Sequence, residues 1–494
     1  MTADPPLLQP ADLCAAGREL TVPFALSLSL RKGAASLREP ADGRLRLLCR
    51  RILRLLPGRR LVALVDVGGR PAVMKLFLGA GAARYRDRES RGCALMAGAG
   101  VATPAVLGEL DGTDAGGSSA CALLFEYLPE ARPVSAGDDA RMAAAAGELA
   151  RLHRAGCRHH DLHLDNFLER PGAGRVFVID GDRVRLASAR PLNVRRSLED
   201  LAVLCAQRPP PADESLGRVL GAYATHRRWP EDEGRRLTRL AAATRRQRRR
   251  RVDRFLLKAQ RDCTEFHQHR SWRRWVIAVR EVWGEAPAQF AADPEAFIRH
   301  GRVLKAGNSA TVVRVDIGER TWVIKRYNLK GPWHAVRRAL KPMARFRLAW
   351  LNGQRLHFLG IPTARPVMLV ERRFGPLRRV AYLVMEDLGD RDLGREIAAQ
   401  GLSEARLAQL VALFRALNAA ELCHGDTKAS NFLVAAGSLH LIDLDAMRVC
   451  GRGDRDVARF LGNFEHLPAV RERIRAALAG PGAGGGFARP YPPV

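Results

Sequence analysis

At 494 residues the chain exceeds what one hydrophobic core usually organises, and 47% hydrophobic with 27% charged residues excludes large-scale disorder. The 81 Lys and Arg outnumber the 52 Asp and Glu, a formal charge of +29 that suits phosphate-rich partners, although Arg-rich usage also follows from genome base composition. Nine scattered cysteines, odd in number and without C-x-x-C spacing, argue against a disulfide framework or a zinc site and read as reduced thiols of a cytoplasmic protein. MTADPPLLQPADLC shows no basic-then-apolar leader, and no apolar run approaches the roughly 18–20 residues of a spanning helix. The expectation is a protein neither exported nor threaded through a membrane.

In chain order, RLVALVDV (60–67) and PAVMKLFL (71–78) read as hairpin strands, with Lys75 in the second. Glu89 lies in RYRDRESRGCALMAGAG, a plausible helix. DDARMAAAAGELARLHRAG (138–156) has helical spacing and an acidic first turn. CRHHDLHLDNFL (157–168) and VFVIDGD (176–182) follow, then a very basic helix over 233–263. The same order returns with LKAGNSATVV (304–313), TWVIKRYN (321–328), a helix over 403–420, LCHGDTKASNFLV (422–434) and LHLIDLD (439–445). The offsets are 426 − 161 = 265, 443 − 180 = 263 and 325 − 75 = 250, so one domain-sized α+β unit is written twice. The expected layout is a first domain over 1–260 including the basic helix, a helical linker over 261–290, a second domain over 291–480 and a disordered Gly/Pro-rich tail over 481–494.

The repeated residues suit phosphoryl transfer from ATP, which needs a cation for the phosphates, two metal ligands, and a carboxylate that aligns the acceptor hydroxyl and takes its proton. Asp161 and Asp426 are the candidate bases. Asn166 and Asn431, each five residues on, with Asp180 and Asp443 at the ends of short apolar runs, offer hard oxygen donors to Mg2+. Lys75 and Lys325 stand where a kinase strand carries its phosphate-binding lysine. Gly307 and Ser309 lie in a turn able to present backbone N–H groups to ATP phosphates; the first copy has only LLPGRRLV (55–62) there. Glu89 suits an ion pair with Lys75. No acidic residue lies between Lys325 and Ile361, leaving Asn352, Gln354 or a different arrangement to hold the second lysine. Lys428, two residues after the second base, has His163 as its counterpart.

These residues resemble the protein-kinase-like superfamily and, more narrowly, the lipopolysaccharide kinase (Kdo/WaaP) family. The narrower likeness rests on VIKRYN (323–328), KGPWHAVRRALKPMARFRLAW (330–350), LHFLGIPTARPV (356–367) and MEDL (385–388), and in the first copy on PGRRLV (57–62), RES (88–90), AGVATPAVLG (99–108), FEYL (125–128) and HHDLHLDNFL (159–168). The resemblance implies two tandem bilobal kinase-like domains, each with a β-rich N-lobe and a helical C-lobe. It implies ATP with Mg2+, with Glu89 and Lys428 completing the ATP site, and transfer to an inner-core sugar, heptose or Kdo. The acceptor would be a lipopolysaccharide core on lipid A, reached by a cytoplasmic protein lying peripherally on the anionic inner face of the inner membrane. The basic helix and the Trp333, Val336, Leu340 and Phe346 region are candidate membrane contacts, with a solvated linker face the other reading of the helix. The competing functions are a small-molecule or protein kinase of the same superfamily and a tandem pseudokinase scaffold. Arginine runs without interleaved aromatics disfavour nucleic acid.

Overall fold

Strict alternation in RLVALVDV buries Leu61, Ala63, Val65 and Val67 and turns Arg60, Val62, Leu64 and Asp66 the other way. That pattern makes one strand of a closed barrel. The computed structural model describes residues 5–15, 19–33, 43–113, 119–172, 174–210, 215–229, 233–328, 344–375, 377–451 and 453–479. Trp333, Val336, Leu340 and the tail over 481–494 lie outside them. The chain divides into two compact units, Met1–Gln207 with Glu214–Thr244, and Arg208–Asp213 with Arg245–Val494. The division falls inside the basic helix, which runs Glu233–Lys258.

In the first unit β1 (Phe24–Gly33), β2 (Arg44–Leu56), β3 (Arg60–Val67), β4 (Arg70–Leu78), β5 (Val106–Thr113) and β6 (Ser119–Glu126) close in the order β1-β2-β3-β4-β6-β5. Phe24, Leu26, Leu47, Cys49, Leu61, Val65, Met74, Leu76, Leu110 and Leu124 fill the barrel. Closure leaves no free sheet edge. The helical part has its own core, in which Met142, Leu149 and Leu152 of the helix Asp139–Arg154 meet Leu201, Val219 and Tyr223. Asp138 caps that helix by accepting the N–H of Arg141 at 2.9 Å. The short strands β7 (Arg132–Pro133), β8 (Cys157–His159), β9 (Phe167–Glu169), β10 (Val176–Val178) and β11 (Val184–Leu186) pair β7 with β9, β9 with β10, and β8 with β11.

The second unit begins its sheet with β12 (Phe266–Arg270) and β13 (Arg274–Val279), where the sequence suggested a helical linker over 261–290. WVIAV is a β-rich apolar run, and all five of its residues are buried. β14 (Arg302–Lys305), β15 (Ala310–Ile317), β16 (Arg320–Tyr327), β17 (Pro366–Phe374) and β18 (Leu377–Glu386) complete seven strands in the order β12-β13-β17-β18-β16-β15-β14. One face, with Val313, Val315, Trp322 and Ile324, packs against Phe290 and Phe297 of two short helices. The other joins Trp350, Phe346, Phe414, Phe432 and Phe460 in the larger core. Phe346 is wholly buried there, which removes it from the candidate membrane contacts. β19 (Leu422–Cys423), β20 (Phe432–Ala435), β21 (Ser438–Leu441) and β22 (Arg448–Val449) form two small hairpin-like pairs, β19 with β22 and β20 with β21. Both units are α+β, with their large sheets ahead of most of their helices. No helix among the described residues is long and apolar enough to cross a membrane.

Six described cysteines are outside any disulfide; Cys49, Cys93, Cys121, Cys157 and Cys205 are buried and Cys263 is half-buried. Burial pushes the thiols of Cys49, Cys93 and Cys121 up to about 12. Cys423 and Cys450 depart from the all-reduced expectation and are joined in a disulfide. They were unreadable as a pair because 27 residues separate them without any spacing motif. Antiparallel pairing of β19 with β22 brings them together, with the Cys450 N–H donating to Glu421 O at 2.8 Å.

Candidate active site

Lys75 sits in the middle of β4, opposite Val62 of β3 and Leu123 of β6. Its ammonium donates to Glu89 Oε1 at 2.7 Å and Asp180 Oδ1 at 2.8 Å. Glu89 reaches it because the helix Ala82–Gly98 buries Arg86, Glu89, Cys93 and Met96 at three-to-four spacing. The carboxylate is 1% exposed and also accepts the N–H groups of Gly181 at 3.0 Å and Asp182 at 3.2 Å. The helix can come this close because residue 92 is glycine: a Cβ there would lie 1.7 Å from Gly181 O. Burial disfavours the Lys75 charge, but Glu89 and Asp180 overcome this and hold its pKa above the ordinary lysine value. Oxygens of Glu89, Asp180 and Asp182 lie within 4.8 Å of one another, the acidic grouping found among the described residues. It is already neutralised by three cations, Lys75 on two of its members and, on Asp182, Arg88 at 2.7 Å and Arg183 at 3.3 Å.

The loops carrying the candidate bases are built alike. The His159 Nδ1 accepts the Asp161 N–H at 3.1 Å, so the proton lies on Nε2, which donates to Ile179 O at 3.1 Å. Burial depresses the His159 pKa, keeping the ring neutral in this role. In the second unit the His424 Nδ1 accepts the Asp426 N–H at 3.3 Å and Nε2 donates to Ile442 O at 2.9 Å. Each imidazole therefore ties its base to the residue preceding Asp180 or Asp443. Asn166 Nδ2 donates to Asp161 O at 2.9 Å and Asn431 Nδ2 to Asp426 O at 2.8 Å. With the amide nitrogens so engaged, the amide oxygens are left as hard donors, of the kind Mg2+ takes together with carboxylates such as those of Asp180 and Asp443. Both of these aspartates adopt the left-handed conformation, Asp180 at φ 69° and ψ 58°, Asp443 at φ 60° and ψ 57°. A non-glycine residue held there costs about 1–3 kcal/mol, a cost typical of functional positions.

The second lysine is clamped differently. Lys325, opposite Val312 of β15 and Leu383 of β18, lies 2.6 Å from Asp443 Oδ1 and 3.0 Å from Asp445 Oδ2. Neither amide considered from the sequence takes the role: Asn352 Nδ2 donates to Leu444 O and Met447 O, each at 3.0 Å, and Gln354 Nε2 to Pro366 O at 2.6 Å. Asp445, a residue sequence reasoning passed over, also accepts from Tyr327 Oη at 2.7 Å and Arg345 Nη2 at 2.9 Å. The available signal was its repeat, since 445 − 182 = 263 matches the offset of Asp443 from Asp180. Burial works against the Asp443 charge, but the Lys325 ammonium outweighs it and holds the carboxyl below the usual range.

Lys428 Nζ stands 3.3 Å from Asp426 Oδ2. Its counterpart His163 instead turns to Asp165, 3.1 Å from Oδ2. Asp456 anchors the second loop by accepting the N–H groups of His424 and of Gly425, the latter at 3.0 Å, while its carbonyl accepts from Thr427 Oγ1 at 2.7 Å. Gly307 and Ser309 lie in the turn between β14 and β15, where Gly307 O accepts from Asn328 Nδ2 at 2.9 Å and Ser309 O from Asn328 N at 3.1 Å.

A lysine on a strand, a loop carboxylate with an amide five residues on, and a left-handed aspartate bonded back to the lysine occur within the stretch that a known family covers. Residues 297–467 match the model of the lipopolysaccharide kinase (Kdo/WaaP) family. The match includes Lys325, Asp426, Asn431, Asp443 and Asp445, whereas Lys75, Asp161 and Asp180 lie outside it. A solved structure titled "WaaP in complex with acyl carrier protein" is similar at 21% identity, over 40% of this chain and 89% of that one, with a TM-score of 0.30. No curated protein matches the chain.

Proposed function

We propose that the second unit transfers the γ-phosphate of ATP to a hydroxyl of an inner-core lipopolysaccharide sugar, heptose or Kdo. The observation that carries this reading is the Lys325–Asp443 contact beside the Asp426–Asn431 loop, inside the segment matching the lipopolysaccharide kinases. In it Asp426 orients the acceptor hydroxyl and takes its proton. Lys325 binds phosphate oxygens, and Gly307 and Ser309 line the phosphates from the turn above. Lys428, beside the base, offsets negative charge as it develops on the transferred group. Asn431 and Asp443 would hold Mg2+, which supplies charge neutralisation on the phosphates when bound.

On the same reading the two units are tandem bilobal kinase-like domains, the first offering Lys75, Glu89, Asp161, Asn166 and Asp180. The acceptor is a lipid A-linked core at the inner face of the inner membrane, and the basic helix supports peripheral docking on its anionic surface. The test is transfer of label from γ-labelled ATP, with Mg2+, to dephosphorylated core lipopolysaccharide. Label entering the core sugars is expected. Its absence, together with no metal-dependent ATP binding, would sink the reading.

A further inference from the structure

The two lysines sit in identical strand registers under different roofs. Val62 faces Lys75 and Val312 faces Lys325; two residues nearer the turn, Arg60 faces Phe77 where Ala310 faces Tyr327. Arg60 therefore occupies the position of Ala310. Alternation turns Arg60, Val62 and Lys75 away from the barrel interior, onto one face.

The turns beside these positions also differ. In the second unit residues 306–309 separate β14 from β15, and in the first only Pro57–Arg59 separate β2 from β3. Pro57 has no N–H, and the Arg59 N–H is engaged with Leu56 O at 3.0 Å. A phosphate cradle of backbone amides cannot be assembled from what remains. Arg60 meanwhile keeps a buried Nε without a hydrogen-bond partner. Burial works against the Asp180 charge, but Lys75 first and the Arg60 guanidinium after it hold the carboxyl below its ordinary pKa, as expected for a cation lying toward that site.

We propose that the first unit binds a nucleoside triphosphate with the Arg60 guanidinium holding the phosphates, in place of the backbone amides of a glycine turn. The proposal rests on the kinase-type reading of the first unit. A planar fork of donors suits phosphate oxygens and needs no room for a long loop.

The experiment titrates trinitrophenyl-ATP into the full chain carrying Lys325→Met, which removes the phosphate-binding lysine of the second unit, and into the same chain with Arg60→Ala or Arg60→Lys. Arg60→Ala is expected to weaken triphosphate binding about tenfold, as loss of a charge-assisted contact does, with Arg60→Lys between the two. Trinitrophenyl-adenosine should bind all three equally, a readout that distinguishes phosphate contact from general damage. Unchanged or tighter triphosphate binding in Arg60→Ala, or an equal loss for both probes, overturns the proposal. Binding by the unmodified chain that vanishes with Lys325→Met alone overturns it too while leaving the proposed function standing. Failure of the unmodified chain to bind any probe would instead refute the kinase reading.

Discussion

Lys75 and Lys325 occupy one register in two sheets, yet their charges are answered from different places. A helix supplies Glu89 to the first, whereas the second finds both partners, Asp443 and Asp445, on a single turn. In the first unit the ammonium bridges the helix and the turn, since it also donates to Asp180 at 2.8 Å. In the second the lysine and its turn form a self-contained group, and the facing helix holds that turn through Asn352 donating to two carbonyls. The same electrostatic demand has been met with acceptors on a helix in one case and donors in the other.

The comparison is broken most sharply at the bases. Asp426→Ala is expected to lower phosphoryl transfer to core lipopolysaccharide by about 10³-fold or more, within the range for loss of a positioned base, and Asp161→Ala to change it little. Labelled-phosphate incorporation at saturating ATP measures both. Equal losses would mean that the two units contribute to one reaction.

Next in size is the disulfide, which the first unit lacks. Arg158 and Ala187 stand at the corresponding positions, and Arg158 pairs with Asp200 at 2.8 Å. Closing a loop over a separation of 27 residues is worth about 3.5 kcal/mol in the chain-entropy account. Cys450→Ser should lower the urea midpoint of the second unit accordingly, followed by fluorescence, and leave the first unit's transition unmoved.

Asp445→Asn should reduce kcat roughly tenfold to a hundredfold by leaving Lys325 one acidic partner, about 1.4–2.7 kcal/mol. Asp182→Asn should leave ATP affinity at Lys75 nearly unchanged, since Arg88 and Arg183 are its partners.

The smallest effect is one of pH. Asp180 and Asp443 have carboxyls held below their ordinary value, so each contributes stability present above the unfolded value of about 3.9 and lost as pH falls through the folded one. Urea midpoints measured from pH 6 downward should fall below about pH 4, and Lys325→Met should flatten that fall for the second unit.

Much of this was legible in the chain. β3 begins and ends where alternation places it, and Ser403 and Asp138 cap the helices whose starts they marked. The loops around Asp161 and Asp426 were readable because five-residue spacing between acid and amide is local. The partner of Lys325 was not, because it depends on a left-handed turn aiming two carboxylates at a strand 118 residues away. The disulfide and the placement of β12 and β13 in the second sheet likewise depend on pairings that no nearby residue announces. Phe346 looked like a surface anchor in a basic stretch, and only tertiary packing decides that it faces the core.

The bare contact between Gly92 and Gly181 bears on how the first unit can change over generations. Most packed surfaces drift by exchanging one side chain for another, each step absorbed by a neighbour. Here backbone rests on backbone, so there is no side chain to trade, and a Cβ on either residue meets main-chain atoms within 3 Å. The position of Glu89 is thus inherited whole: sequence change can leave it alone or lose it in one step, with no graded intermediates between.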